Sequence, residues 1–261
     1  MSLLSVNDLT RNFGGLTAVS RANLHVDEGE LVGLIGPNGA GKTTLFNVLT
    51  GVYPPSSGTI ELNVDGTTTS IGGKRPNAIC RAGVGRTFQN IRLFKDLTVL
   101  DNVRIAMQQN IPYSLLAAFT HAGTFGGKEQ QIRDESEQLL AVMGLADKAD
   151  ELSRNLSYGD QRHLEIARAL AVRPKLLLLD EPAAGMNPNE TRDLTDLISQ
   201  LRRDFGLTVV LIEHDMSLVM RICERIYVLD HGSIISEGTP EHVRNDPLVI
   251  EAYLGEEAPN A

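Results

Sequence analysis

The chain has no tryptophan, little aromatic content of any kind, and two cysteines in 261 residues. Cys80 and Cys223 lie far apart and outside any C-x-x-C pair. That spacing excludes a disulfide framework or a cysteine zinc site and leaves two unpaired thiols suited to a reducing compartment. Long apolar runs are missing too: nothing approaches the ~20 residues that a membrane-spanning helix needs. The longest ambiguous stretch, residues 111–119, is short and carries Pro112. The first eight residues contain no basic region followed by an apolar run, so no signal peptide is expected. Basic residues are in deficit, with 24 Lys and Arg against 33 Asp and Glu and a net charge of −9. Such a balance argues against nucleic acid as the main partner. What is present is ordinary globular material, long enough for one α/β domain with an appended smaller lobe.

The apolar run Leu31-Val32-Gly33-Leu34-Ile35 leads into Gly36-Pro37-Asn38-Gly39-Ala40-Gly41-Lys42-Thr43, and Thr44 to Leu49 follow with the look of a helix. This is the G-x-x-x-x-G-K-[ST] pattern in the strand–loop–helix context it requires. Glycines let the backbone curl round an anion, the helix start offers N–H groups and the positive end of its dipole, and Lys42 adds a mobile charge. The loop is therefore read as a cradle for nucleotide phosphates, with Thr43 at the helix start as a magnesium ligand. Kinases, switch GTPases and transport motors share this loop, so it does not identify the protein.

Residues 3–28 alternate apolar and polar positions about Phe13-Gly14-Gly15, which predicts an antiparallel hairpin. Phe13 either caps the hairpin core or offers its face to a base. Thr50-Gly51 ends the helix after the loop, and Thr59 to Val64 with the Gly66 turn read as a strand pair. Residues 93–103 look like a loop entering a helix, while Gln89 is by itself a polar residue near a strand end. A flexible or partly helical insertion is expected over residues 108–128, with helical periodicity from Glu129 to Met143. Asn155 to Gln161 leads into a helix from about Asp160, where Ser157 and Gly159 could serve as an N-cap or could hold a phosphate oxygen. Leu176–Glu181 reads as a buried parallel strand ending in two carboxylates, and Leu207 to Ile212 as a second strand ending in Glu213-His214-Asp215. Parallel sheets bind ligands at that edge, so His214 joins the candidate site rather than a solvated loop. Ile226 to Ser236 predicts a closing hairpin, and the tail from Glu256 a frayed end.

Together these passages resemble the ATP-binding subunit of an ATP-binding cassette transporter over essentially the whole chain. The resemblance rests on an ordered series: Phe13, the loop 36–43, Gln89, Leu156-Ser157-Tyr158-Gly159-Asp160-Gln161, Asp180-Glu181, Ala184-Gly185-Met186-Asn187, and His214. Residues 85–103, 156–170 and 179–188 are similar to the branched-chain amino acid importers, in particular the larger of their two ATPase subunits. Tyr158, Asp160, Asn187 and Phe13 depart from the commonest family residues at their positions. The implied fold is α/β: a P-loop core with a mostly parallel sheet, an N-terminal antiparallel β part and an inserted helical subdomain. Expected bounds are 1–83 and 166–240 for the core, 84–165 for the helical subdomain with Gln89 and the signature, and 241–261 for a C-terminal helix and tail.

The resemblance implies ATP hydrolysis with Mg²⁺. Gly36, Pro37, Asn38, Gly39, Ala40, Gly41, Lys42, Thr43 and Thr44 would hold the phosphates, and Phe13 would stack on adenine. Thr43 and Asp180 would position the metal, and Gln89 would sense metal and water. Glu181 would orient or deprotonate the attacking water, and His214 would touch the γ-phosphate. Ser157 and Gly159 would complete the site of an opposing subunit, so two ATP molecules would join a head-to-tail dimer. Implied partners are two membrane permease subunits, a second ATPase of the same kind and, indirectly, a substrate-binding protein. No nucleic acid and no membrane span of its own are implied, and the place of work would be the cytoplasmic face of the inner membrane. The alternative is a soluble cassette ATPase of cofactor (iron–sulfur) assembly, which would share every nucleotide residue. Cassette ATPases of DNA repair usually carry long coiled coils or zinc cysteines, and a small-molecule kinase leaves the signature and His214 unexplained.

Overall fold

Two strands of twelve residues, β1 (Ser2–Phe13) and β2 (Leu16–Asp27), form the expected hairpin with Phe13 opposite Leu16 at its tip. Leu4, Val6 and Leu9 point inward from the first, and Val19, Ala22, Leu24 and Val26 from the second. A computed structural model describes residues 2–108 and 124–257 of the chain. Within them β4 (Ser57–Val64) joins β1 antiparallel and β5 (Thr67–Ser70) joins β4, giving a sheet ordered β2-β1-β4-β5.

The second sheet carries the fully buried runs. Its order is β10-β9-β3-β8-β7-β6, built from β3 (Leu31–Ile35), β6 (Val84–Arg86), β7 (Leu176–Asp180), β8 (Thr208–Ile212), β9 (Arg225–Asp230) and β10 (Ser233–Gly238). Every pairing is parallel except the β9–β10 hairpin. Leucine, isoleucine and valine fill β3, β7 and β8 on both faces, as a sheet covered on two sides demands. The carboxyl ends of β3, β6, β7 and β8 therefore point to one edge.

Helices follow the strands. α1 (Lys42–Leu49) leaves the loop after β3 and ends at Thr50, before Gly51 at φ +73°. α2 (Pro76–Arg81) precedes β6. α6 (Pro188–Phe205) starts on Asn187, whose side chain accepts from the Asn189 and Glu190 N–H groups while Glu190 reaches back to the Asn187 N–H, a complete capping box. α7 (Met216–Ile222) starts on Asp215. The single C-terminal helix expected over 241–261 is two in the described residues, α8 (Pro240–Asn245) and α9 (Pro247–Glu257). Asp246, extended at ψ 120°, separates them, because a residue before proline is driven out of the helical region.

A second compact unit, Thr87–Pro174, is helical; the first comprises 1–86 and 175–261. The unit holds α3 (Val99–Met107), capped by Thr98, α4 (Thr124–Val142), and α5 (Tyr158–Ala171), capped by Ser157. α4 begins ahead of the expected Glu129 and buries Ile132, Leu139 and Leu140, with Met143 just past its end. The expected insertion at 108–128 lies largely outside the described residues. Compactness divides the chain at 86/87 and 174/175 where the sequence suggested 83/84 and 165/166, since α5 runs unbroken across the latter.

Candidate functional site

The loop between β3 and α1 has no room for a side chain at two of its glycines. Gly36 adopts φ +147°, and a Cβ there would sit 1.9 Å from the Leu229 carbonyl oxygen. Gly41, at φ +106°, would meet the Ala18 carbonyl oxygen at 2.3 Å. Neither position tolerates a side chain without moving backbone. Gly41 is also the N-cap of α1 and provides no side-chain cap. A helix start of that kind directs its N–H groups and its dipole at an anion. Lys42 is buried, and its ammonium donates to the carbonyls of Gly36 at 2.6 Å and Pro37 at 2.8 Å, which folds the charge back over the loop. Thr43 is exposed on the first turn.

Asp180 closes β7 at the same edge, with 2% of its side chain exposed. Its Oδ2 accepts from Arg86 Nη2 at 2.8 Å. Glu181 follows at φ +48°, a left-handed conformation that is uncommon for a residue with a side chain and that turns the carboxylate off the strand line. Its N–H donates to the Ile212 carbonyl at 2.9 Å, and its Oε1 lies 2.9 Å from His214 Nε2. The carboxylate is 12% exposed and the imidazole 45%, so the pair faces solvent through the histidine.

Glu213, one residue before His214, is a site residue that sequence reasoning passed over. It is buried, accepts from the Ala183 N–H at 2.7 Å and from the His214 N–H at 3.1 Å, and so ties the turn after Glu181 to the end of β8. Burial pushes its carboxyl up, against the pull of those N–H donors. Arg86 was missed as well. The only available signal was a charged residue at the edge where strand ends gather, and sequence alone does not say which way such a side chain turns.

Phe13 is 38% exposed at the hairpin tip. The Arg11 guanidinium lies 4.4 Å from its ring centre, and Tyr53 meets it edge-on at 5.1 Å. Arg11 also donates to the Pro54 carbonyl, which fixes it there. One ring face is thus covered by a cation.

In the helical unit, Ser157 caps α5 by accepting from the Asp160 N–H, and its hydroxyl donates to Asp160 Oδ2 at 2.7 Å. Lys148 donates to the same oxygen at 2.7 Å. Burial opposes ionisation of Asp160, but these two donors hold its carboxyl below the usual range. Ser157 is exposed and Gly159 half-buried. Gln89 is exposed, on a loop gripped by α5. Arg162 donates to the carbonyls of Phe88 at 2.8 Å and Gln89 at 3.0 Å, and Glu165 accepts from the Phe88 and Arg92 N–H groups. Arg162 and Glu165 are themselves paired at 2.8 Å and buried. The residues that carry the signature and the residue expected to sense metal are therefore bound into one piece.

Thr43 and Asp180 offer a hydroxyl and a carboxylate, the hard oxygen donors that magnesium takes. Among the described residues no group of three or more His, Cys, Asp or Glu side chains could hold a metal ion. A magnesium ion here would complete its shell with phosphate oxygens and water, the usual arrangement for that ion.

Residues 19–184 match the family model for ABC transporters, and residues 233–259 match one for branched-chain amino acid ATP-binding cassette transporters. The chain is similar to the high-affinity branched-chain amino acid transport ATP-binding protein LivG of Escherichia coli, with 48% identity over 97% of this chain and 98% of that protein. Similarity to BraF of Pseudomonas aeruginosa, which bears the same description, is 47% with the same coverage of this chain. Among solved structures, an ATP-binding cassette of an ABC transporter in its ADP conformation superposes with a TM-score of 0.82 at 30% identity, covering 98% of this chain and 99% of that one.

Proposed function

The chain belongs to the ATP-binding subunits of ABC transporters, and from that membership we propose that it hydrolyses ATP to drive import of branched-chain amino acids. The importer assignment follows the relatives at 47–48% identity and the match of residues 233–259. The cofactor-assembly alternative is not favoured, since those relatives are transport proteins.

The contact that carries the hydrolytic reading is the 2.9 Å approach of His214 to Glu181, one residue beyond the carboxylate that ends β7. Phosphoryl transfer asks little covalent work of a protein and much positioning and charge neutralisation. Lys42 and the N–H groups at the start of α1 hold the β- and γ-phosphates, and Phe13 stacks on adenine. Glu181 orients the attacking water and takes its proton. His214 touches the γ-phosphate and, through its contact with Glu181, keeps carboxylate and phosphate in register. Thr43 and Asp180 would hold Mg²⁺ and Gln89 would sense it; the ion would offset charge on the phosphate oxygens.

Ser157 and Gly159 contact the ATP of an opposing subunit, so the unit is a head-to-tail dimer with either a second copy or a related ATPase. The first compact unit is the nucleotide-binding core. The helical unit meets two permease subunits on the cytoplasmic face of the inner membrane, with a substrate-binding protein beyond them. No helix among the described residues is long and apolar enough to cross a membrane, which agrees with peripheral attachment.

Isolation of the tagged chain from its own cells tests this. Co-purification with two permeases and a second ATPase, together with loss of leucine uptake on deletion, is the expected result. Recovery only with soluble cofactor-assembly proteins, and unaltered uptake, would contradict it.

A further inference from the structure

Arg86 ends β6 and is the last residue before the chain leaves the first compact unit. Only 6% of its side chain is exposed. Its fork reaches two elements at once. Nη2 donates to Asp180 Oδ2 at 2.8 Å on the neighbouring strand. Nη1 donates to Asn47 Oδ1 at 2.8 Å and to Thr50 Oγ1 at 2.9 Å, on and just beyond α1. The guanidinium also lies 5.7 Å from the centre of the Phe46 ring. Thr50 is itself anchored by donating to the Phe46 carbonyl at 2.7 Å.

A buried carboxylate paired with a buried cation is geometrically constrained by that partner, and removing the partner is costly. A lysine would supply that partner as a point charge, whereas the planar guanidinium can bond a strand and a helix simultaneously. The helix in question is the one that opens with Lys42 and Thr43. Arg86 therefore sets the position of the Asp180 carboxylate relative to the element that carries the Thr43 hydroxyl.

We propose that Arg86 is a positioning residue for ATP hydrolysis: it locks Asp180 to α1 so that Asp180 and Thr43 stand as a fixed pair of oxygen donors toward the Mg²⁺ that accompanies ATP. This rests on the reading of those two residues given above. Arg86 does not touch nucleotide in this role; it acts through Asp180.

The test compares R86M, R86K and the double variant N47A/T50V with the wild-type chain. Metal-free nucleotide affinity is measured in EDTA with a fluorescent ATP analogue, and Mn²⁺ affinity of the complex with a non-hydrolysable ATP analogue by electron paramagnetic resonance. Residues that orient a metal ligand typically control affinity for the ion by ~10–100-fold, so R86M should weaken Mn²⁺ binding by at least ~10-fold. Metal-free nucleotide affinity should stay unchanged, and R86K should recover part of the loss. N47A/T50V leaves the Arg86–Asp180 pair intact and removes only the helix side of the grip; it should weaken Mn²⁺ binding too, and it keeps the test available if R86M does not fold. Unchanged or tighter Mn²⁺ binding in the folded variants overturns the proposal, the latter because Arg86 would then oppose the cation. Absence of nucleotide binding by the wild-type chain would instead defeat the underlying reading of the phosphate loop.

Discussion

Glu181 holds a left-handed backbone conformation that costs on the order of 1–3 kcal/mol for such a residue. The surroundings over-determine it: the Ile212 carbonyl takes its N–H, and Glu213 holds the turn two residues on. Asp215 shows how closely the same strand end is controlled. It caps α7 by accepting from the Ser217 and Leu218 N–H groups. The Ser217 hydroxyl, then those N–H donors, keep its carboxyl below the ordinary value of 3.8 despite some burial. A carboxyl depressed in the folded state adds stability that is present above its unfolded value and disappears as pH falls through the folded one. D215N retains a capping oxygen without the charge. Thermal unfolding of the two proteins across pH 6 to pH 3 should therefore show a wild-type advantage at the upper end that shrinks below 3.8. A constant gap across the series would mean that ionisation of Asp215 contributes nothing.

Sequence made some of these residues legible and hid others for one reason. The loop 36–43 is readable because its chemistry is local: Gly36 and Gly41 are required by their own φ angles and by backbone within van der Waals reach. Arg86, Asn47 and Glu213 act across elements, and nothing in the spacing of residues 86, 47 and 180 announces that three segments meet.

Elements followed the same rule. β3, β7 and β8 are apolar runs apart from Asp180 at the end of β7 and Thr208 at the start of β8, and their lengths and bounding residues mark them as buried strands. β6 is only three residues long and α2 six, too short for any period to emerge. The division of the C-terminal segment at Asp246 was present in the sequence as Pro247, but proline at a first helical position starts a helix as readily as it ends one. At this scale the most demanding feature is the buried Arg162–Glu165 pair on α5, which grips the loop carrying Gln89. Burial pushes the Glu165 carboxyl up, and Arg162 and two N–H donors oppose that. Removing one member of a buried pair typically costs ~3–5 kcal/mol, because the other is left uncompensated. R162M should lose stability of that order in urea unfolding, and R162M/E165L should regain part of it. A loss in R162M/E165L equal to the sum of the losses in R162M and E165L would show that the pair is not coupled.

For the whole molecule, the proposed completion of the site by Ser157 and Gly159 of an opposing subunit would make assembly part of catalysis. S157R should abolish ATP-driven dimerisation, followed by light scattering, while the affinity of the isolated subunit for ATP stays at the wild-type value. A dimer formed equally well by S157R would remove the signature from the interface. The claim on which everything else depends is that Glu181 carries out the hydrolytic step without being needed to hold nucleotide. The most direct measurement pairs ATP affinity by calorimetry with steady-state turnover for E181Q and the wild-type chain. Unchanged affinity with turnover lowered by ~10²-fold or more is the predicted result. Wild-type turnover in E181Q would contradict it.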